Sequence, residues 1–116
     1  MKVYGIKNCN TVKKALDWLT AHHIPFEFHD YKKLGISGEK LAEWAGQIGW
    51  EPLLNRRGTT WKQLPPEVQA SVTGPEAAFA LMTEKNSVIK RPLIESESGL
   101  VLGFNEAEYA EALLAD

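Results

Sequence analysis

A chain of 116 residues with 13 Lys and Arg against 15 Asp and Glu, and a formal net charge of −2, is expected to fold as one domain. It should bury roughly two-thirds of its unfolded surface without covalent staples. The even charge balance and the lack of a basic block argue against direct nucleic-acid binding through a phosphate-neutralising face. No apolar stretch approaches the roughly 20 residues of a membrane span and the N-terminus carries no signal-peptide pattern, so a cytoplasmic protein with no membrane partner is expected.

Residues 2–6 predict a short buried strand. From Thr11 to His22, Val12, Ala15, Leu16 and Leu19 recur at i, i+3, i+4 and i+7, the stripe of an amphipathic helix that Asn10 or Thr11 can cap. His22-His23 sits at the negative end of that helix, where compensating the dipole or facing solvent outweighs metal binding, and Pro25 stops it. Residues 26–30, with Phe26 and Phe28 alternating around Glu27, predict a second strand and complete a β-α-β unit.

Residues at about 37–85 read as a helical insertion. Ser37 can cap a helix carrying Leu41, Trp44, Ala45 and Ile48, with Gly49 at a left-handed C-terminal position. Asn55-Arg56-Arg57-Gly58 predicts a turn, Pro65-Pro66 a short helix, and Thr73-Gly74-Pro75-Glu76 a capping box. Strands return with Ser87-Val88-Ile89-Lys90, which leads through Arg91-Pro92 into Leu93-Ile94. Residues 95–99 then turn into Leu100-Val101-Leu102 as an antiparallel hairpin. Asn105 and Glu108 can cap a closing helix reciprocally, with Phe104 and Tyr109 as its hydrophobic staple. The order is β-α-β, helices, β-β-α, in a single domain over 1–116. The tryptophans Trp18, Trp44, Trp50 and Trp61 are expected in packing before ligand stacking.

Cys9 is the only cysteine, and it falls at the first strand-to-helix turn. There the free N–H groups and positive end of a helix favour a thiolate, and Lys7 adds charge of the same sense. The alternative is a small buried apolar residue; position, together with Arg91-Pro92, favours the reactive reading. Pro92 cannot donate to a central ladder and is expected at a strand start, in a cis peptide. Thr11 can cap the helix or donate its hydroxyl to the Cys9 sulfur. Arg56 and Arg57 can be a solvated turn or a substrate-binding pair. His29 and Asp30 could pair at a strand end and are assigned no chemistry. One cysteine with histidines at 22, 23 and 29 does not make a closed metal set, so no metal is expected.

A cysteine at the first β-α junction and a proline heading the third strand, in this topology, resemble the thioredoxin fold, an α/β architecture with a mixed sheet. More narrowly, Gly5-Ile6-Lys7-Asn8-Cys9-Asn10-Thr11 followed by Lys13-Lys14-Ala15 resembles the YffB-like branch of the ArsC-like family, which comprises glutaredoxin-coupled arsenate reductases and Spx-type regulators. Phe28-His29-Asp30-Tyr31, Leu54-Asn55-Arg56, Gly58-Thr59-Thr60 and Ile89-Lys90-Arg91-Pro92 carry the same resemblance along the chain. It implies that Cys9 is the active-site thiol and that Arg91 projects toward it. It also implies two further arginines in the arsenate reductases. Here Asn55 stands at the first of those positions with Arg56 beside it, and Gly103-Phe104-Asn105 has no arginine at the second.

Cys9-Asn10-Thr11-Val12 lacks the second sulfur of a C-x-x-C pair, so a catalytic Cys9 must import its resolving thiol from glutathione or a glutaredoxin-type donor. A thiol shifted toward the anion gains little in attack rate, because nucleophilicity falls with basicity. Arg91 is therefore better explained as holding an anionic substrate or stabilising a leaving thiolate. The expected function is a glutathione-dependent monothiol thiol-disulfide reductase, a thiol-dependent oxidoreductase forming a mixed disulfide at Cys9. Lys7, Asn8, Thr11, Arg56 and Pro92 would help bind substrate, glutathione would be co-substrate, no cofactor would be bound, and the protein would be a monomer. Alternatives are a glutaredoxin-coupled arsenate reductase and an Spx-like redox regulator that binds RNA polymerase.

Overall fold

Strand β1 (Lys2–Gly5) is buried at Val3, Tyr4 and Gly5 in the computed structural model, which describes residues 1–114. A short strand buried on both faces belongs at the centre of a sheet. The sheet order is β2-β1-β3-β4, built with β2 (Glu27–Asp30), β3 (Leu93–Ser96) and β4 (Gly99–Leu102). β1 runs parallel to β2 and antiparallel to β3, which pairs antiparallel with β4. This mixed sheet with helices is the thioredoxin-like α/β fold that the sequence resemblance implied.

The described chain divides into two compact units, Met1–Leu34 with the residues from Arg91 onward, and Gly35–Lys90. In the first, helix α1 (Asn10–Ala21) and the last helix, Glu106–Leu113, pack on one sheet face. Val3, Ile94 and Val101 meet Ala15, Trp18, Leu19 and Tyr109 there. Trp18 lies edge-on to Tyr109 with ring centroids 5.4 Å apart. Each large aliphatic side chain so buried contributes about 1.5–3 kcal/mol. Tyr31 opens a short helix, α2 (Tyr31–Leu34), that periodicity had not revealed. Its start is explained by Asp30, whose Oδ1 accepts from the Lys32 amide at 2.9 Å and so offers the backbone a turn.

The second unit contains α3 (Gly38–Ile48), α4 (Thr59–Lys62), α5 (Pro66–Ser71) and α6 (Pro75–Glu84), which makes Glu106–Leu113 α7. Leu41, Trp44, Leu53, Ala78, Met82, Val88 and Ile89 are fully buried. Ser37 caps α3 as expected, its Oγ accepting from the Lys40 amide at 3.1 Å.

Several expectations are corrected. Cys9 itself, rather than Asn10 or Thr11, is the N-cap of α1, because its carbonyl already accepts the Lys13 amide at 2.9 Å. Gly49, by contrast, ends α3 at a positive φ of +87 as expected, its amide donating to the Ala45 carbonyl at 2.7 Å. The Thr73 capping box is replaced by a Gly74 N-cap, since Pro75, lacking an N–H, suits the first helical position. Residues 87–90 are not a strand: Asn86–Val88 forms a 3-10 turn, and a single bridge joins Ile89 to Leu54. The staple on α7 is present, with Phe104 edge-on to Tyr109 at 5.0 Å, and Asn105 Oδ1 accepts the Glu108 amide at 3.0 Å.

Gly5 permits a close approach of strand and helix, because a Cβ there would lie 2.9 Å from Val12 Cγ2 and 3.2 Å from Val12 Cγ1. Gly5→Ala is expected to lower stability by about 1–3 kcal/mol through overpacking. Gly46→Ala in α3, where a Cβ meets nothing within 4 Å, should raise it by about 0.4–1 kcal/mol. Urea midpoints of the two variants against wild type check both signs.

Burial pushes the Tyr31 phenol well above its ordinary range, with Tyr4 and Glu95 adding and Arg91 opposing. Burial, then Glu108, does the same for Tyr109. The unfolded chain releases these protons above about pH 10 while the fold retains them, so stability present below that pH is lost as pH rises beyond it. Tyr109→Phe should flatten this alkaline loss. At neutral pH it should cost about 1 kcal/mol through the missing bond from the phenol to the Gly103 carbonyl. Urea melts at neutral and alkaline pH test both effects.

Candidate functional site

Strand register brings several chain segments to one end of the sheet. Gly5 at the end of β1 pairs with Asp30 at the end of β2, Tyr4 with Leu93 at the start of β3, and Leu93 with Leu102 at the end of β4. Ile6–Cys9 therefore leaves the sheet where Arg91-Pro92 enters it. The Arg91–Pro92 peptide is cis, in agreement with the sequence reading. Pro92 is buried and Arg91 half-buried. The Pro92 carbonyl accepts the Gly103 amide at 2.8 Å, which ties the loop after β4 to this end.

Cys9 is half-buried and a free thiol. It is extended, at φ −128 and ψ 121, and its side chain makes no cap hydrogen bond. The first turn of α1 carries no acidic residue, so no carboxylate of the helix itself opposes an anion at its positive end. Lys7 and Asn8 are exposed on the turn before Cys9. Thr11 lies within the helix and is exposed, which removes its capping role. Val12, where a C-x-x-C partner would stand, is 1% exposed and packs over Gly5.

Arg56 belongs to the Gly35–Lys90 unit and is described within it. Its guanidinium lies over the rings of Trp50 and Trp61, 6.0 and 5.7 Å from their centroids, and Asn55 Oδ1 accepts the Arg57 amide at 3.1 Å. The turn is thus organised by an Asx bond and by cation–π contacts. Trp50 and Trp61 thus pack within the chain, and the Arg56 contact with both rings is what no sequence pattern marked.

A group of polar and aromatic side chains on the sheet face opposite α1 was also missed. The Tyr4 hydroxyl donates to Glu95 Oε1 at 2.9 Å. The Tyr4 ring stacks on Tyr31 at 6.2 Å and lies 4.8 Å from His29. The charge of Arg91 acts on Tyr31, as does that of Glu95. The available signal was the period-two alternation of β1, which sets Lys2 and Tyr4 opposite to Val3. Among the described residues no three His, Cys, Asp or Glu side chains gather as a metal set, and no helix is long and apolar enough to cross a membrane.

The sequence pattern described as the ArsC family matches residues 4–112. A solved YFFB protein superposes with a TM-score of 0.90 at 42% identity, covering 97% of both chains. An arsenate reductase (ArsC) related protein from Brucella melitensis superposes with a TM-score of 0.75 at 44% identity, covering 95% of this chain and 91% of its own. The global transcriptional regulator Spx of Streptococcus agalactiae is 27% identical over 111 residues, 94% of this chain and 80% of the regulator.

A half-buried sulfur uncommitted to any cap bond should be alkylated by iodoacetamide in the folded protein without denaturant. Peptide mapping should find the label on Cys9, while a rate that rises only in urea would return this thiol to the core.

Proposed function

The chain belongs to the ArsC family, and on that premise we propose that it is a glutathione-dependent monothiol thiol-disulfide reductase. The coarser assignment, a thiol-based reductase or redox regulator, follows from its kinship with an arsenate-reductase-related protein and with Spx. One observation carries the finer reading. The single cysteine of the chain stands at the N-cap of α1, its side chain free of any cap bond, at the sheet end where the cis Arg91–Pro92 peptide enters β3, and the position for a second cysteine is filled by buried Val12.

In the proposed cycle the Cys9 thiolate attacks a glutathione mixed disulfide, R–S–S–G. The Cys9 Sγ–SG bond forms as the RS–SG disulfide bond breaks, and RS⁻ leaves and takes a proton. A second glutathione thiolate then attacks the Cys9 adduct, which releases oxidised glutathione and restores the thiolate. One added glutathione is consumed per turnover, RSSG + GSH giving RSH + GSSG, the other half of the oxidised glutathione coming from the substrate. Arg91 serves as the cation for a substrate carboxylate or for the departing thiolate. The edge beside Pro92 offers main-chain pairing to an extended peptide. Lys7 and Asn8, exposed before Cys9, are the nearest side chains in sequence for further contacts.

Reduction of arsenate by the same thiol is the second reading, favoured by the name of the Brucella relative. A tetrahedral oxyanion needs several convergent donors. Where the arsenate reductases are expected to carry an arginine after the last strand, this chain has Phe104, whose ring packs on Tyr109 in the core. One donor fewer disfavours arsenate more than it does glutathione, whose charges are spread along a peptide.

Incubation of the reduced protein with oxidised glutathione should add one glutathionyl group to wild type and none to Cys9→Ser, as read by intact mass. Arg91→Ala should slow the addition about tenfold. Indistinguishable masses for wild type and Cys9→Ser would refute the mechanism.

A further inference from the structure

Beside the Cys9 turn lies a cleft of about 370 Å³ lined by Lys7, Leu16, Phe28, Asp30, Lys33 and Leu34. It lies at the carboxyl ends of the parallel strands β1 and β2, where Gly5 pairs with Asp30. Crevices outside the carboxyl ends of parallel strands are where open α/β sheets take their ligands. At the small end of the roughly 300–1,000 Å³ typical of ligand pockets, this cleft suits one amino-acid head rather than a whole peptide.

Its charge pattern is specific. Lys7 and Lys33 contribute two cations, and Asp30 one anion whose Oδ1 accepts the Lys32 amide at 2.9 Å. That bond orients the carboxylate. The remaining wall is apolar, from Leu16, Phe28 and Leu34, and Leu34 is 68% exposed. Two cations and a fixed anion around a methylene-sized apolar wall complement a zwitterionic α-amino acid whose side chain leads away as a linker. A plain carboxylate would leave Asp30 repelling it, and a purely apolar ligand would desolvate three charges.

The reach agrees. From Cys9 to Leu16 is seven residues of α1, roughly 10 Å at a helical rise of 1.5 Å per residue, and three extended residues span about the same length. We propose that this cleft is the subsite for the γ-glutamyl end of a glutathione-type substrate, with Lys7 and Lys33 holding its α-carboxylate, Asp30 its α-ammonium, and Leu16 and Phe28 its methylenes. The assignment rests on the mixed-disulfide chemistry proposed for Cys9. It adds Asp30 and Lys33, which sequence reading had left without a role.

The test is a panel of disulfides presented to the reduced protein, with mixed-disulfide formation at Cys9 timed by intact mass. Oxidised glutathione and oxidised γ-glutamylcysteine should react about tenfold faster than oxidised cysteinylglycine, which lacks the γ-glutamyl head. Lys33→Ala and Asp30→Asn should each reduce the ratio of the oxidised-glutathione rate to the 2-hydroxyethyl disulfide rate, the latter reagent having no charges to engage. Equal rates across the panel, or a ratio that neither substitution changes, would overturn the subsite while leaving Cys9 as the reacting thiol. If no disulfide in the panel modifies Cys9 in wild type, the mechanism itself fails and the subsite with it.

Discussion

The pairing of β1 with β3 is the constraint on which the rest of the sheet-containing unit depends. Tyr4 opposite Leu93 fixes which side chains enter the core and which chain segments meet at the sheet end. A slip of one residue would exchange the faces of β1. Val3 would leave its contacts with Ile94, Ala15 and Leu19, and Tyr4 would lose its hydroxyl bond to Glu95. Both faces therefore specify the same register, one through apolar burial and one through a polar contact, and that agreement selects a single pairing. The position of Arg91 relative to the Cys9 turn follows from this register.

Much of this arrangement was legible in residues with a local mechanism. Val12, Ala15 and Leu19 announced α1, Ser37 announced the start of α3, and Asn105 with the Phe104 and Tyr109 pair announced α7. Cys9 and Pro92 stood out because few roles suit a lone thiol at a strand-to-helix turn or a proline heading a strand. What stayed hidden lay in competition between equally plausible local partners. Asn10, Thr11 and Cys9 could each begin α1, and the decision fell to the Cys9 carbonyl, whose bond to Lys13 is closed by the backbone alone. Thr73 lost to Gly74 because Pro75 fixes where the helix begins. Residues 87–90 have the composition of a strand, yet only Ile89 finds a bridging partner, in Leu54.

The missed contacts share a second cause. Arg56 finds Trp50 and Trp61, and Tyr31 feels Tyr4, Glu95 and Arg91. Each brings together side chains that sequence periodicity treats separately. Periodicity assigns a residue to a face but not to a neighbour on another segment. Family resemblance supplied Arg91 for that reason, whereas Tyr4, Tyr31 and Glu95 had no motif to mark them.

The two ends of the sheet are finished differently, and that difference bears on where chemistry can occur. At the hairpin end, Ser96 Oγ donates to the Gly99 carbonyl at 2.8 Å and Ser98 Oγ to the Ala112 carbonyl at 3.0 Å, so side chains satisfy the backbone and lock α7 to the turn. At the opposite end Gly103, at φ +78, uses its amide for the Pro92 carbonyl and its carbonyl for the Tyr109 hydroxyl. A single glycine thereby connects the cis-proline segment to the aromatic core. The Cys9 side chain, by contrast, makes no bond to the helix it caps. A reacting atom must exchange partners during each cycle while its surroundings stay fixed. The cycle proposed for Cys9 draws on both features of this end, where the backbone carries the fixed bonds and the Cys9 side chain makes no cap bond.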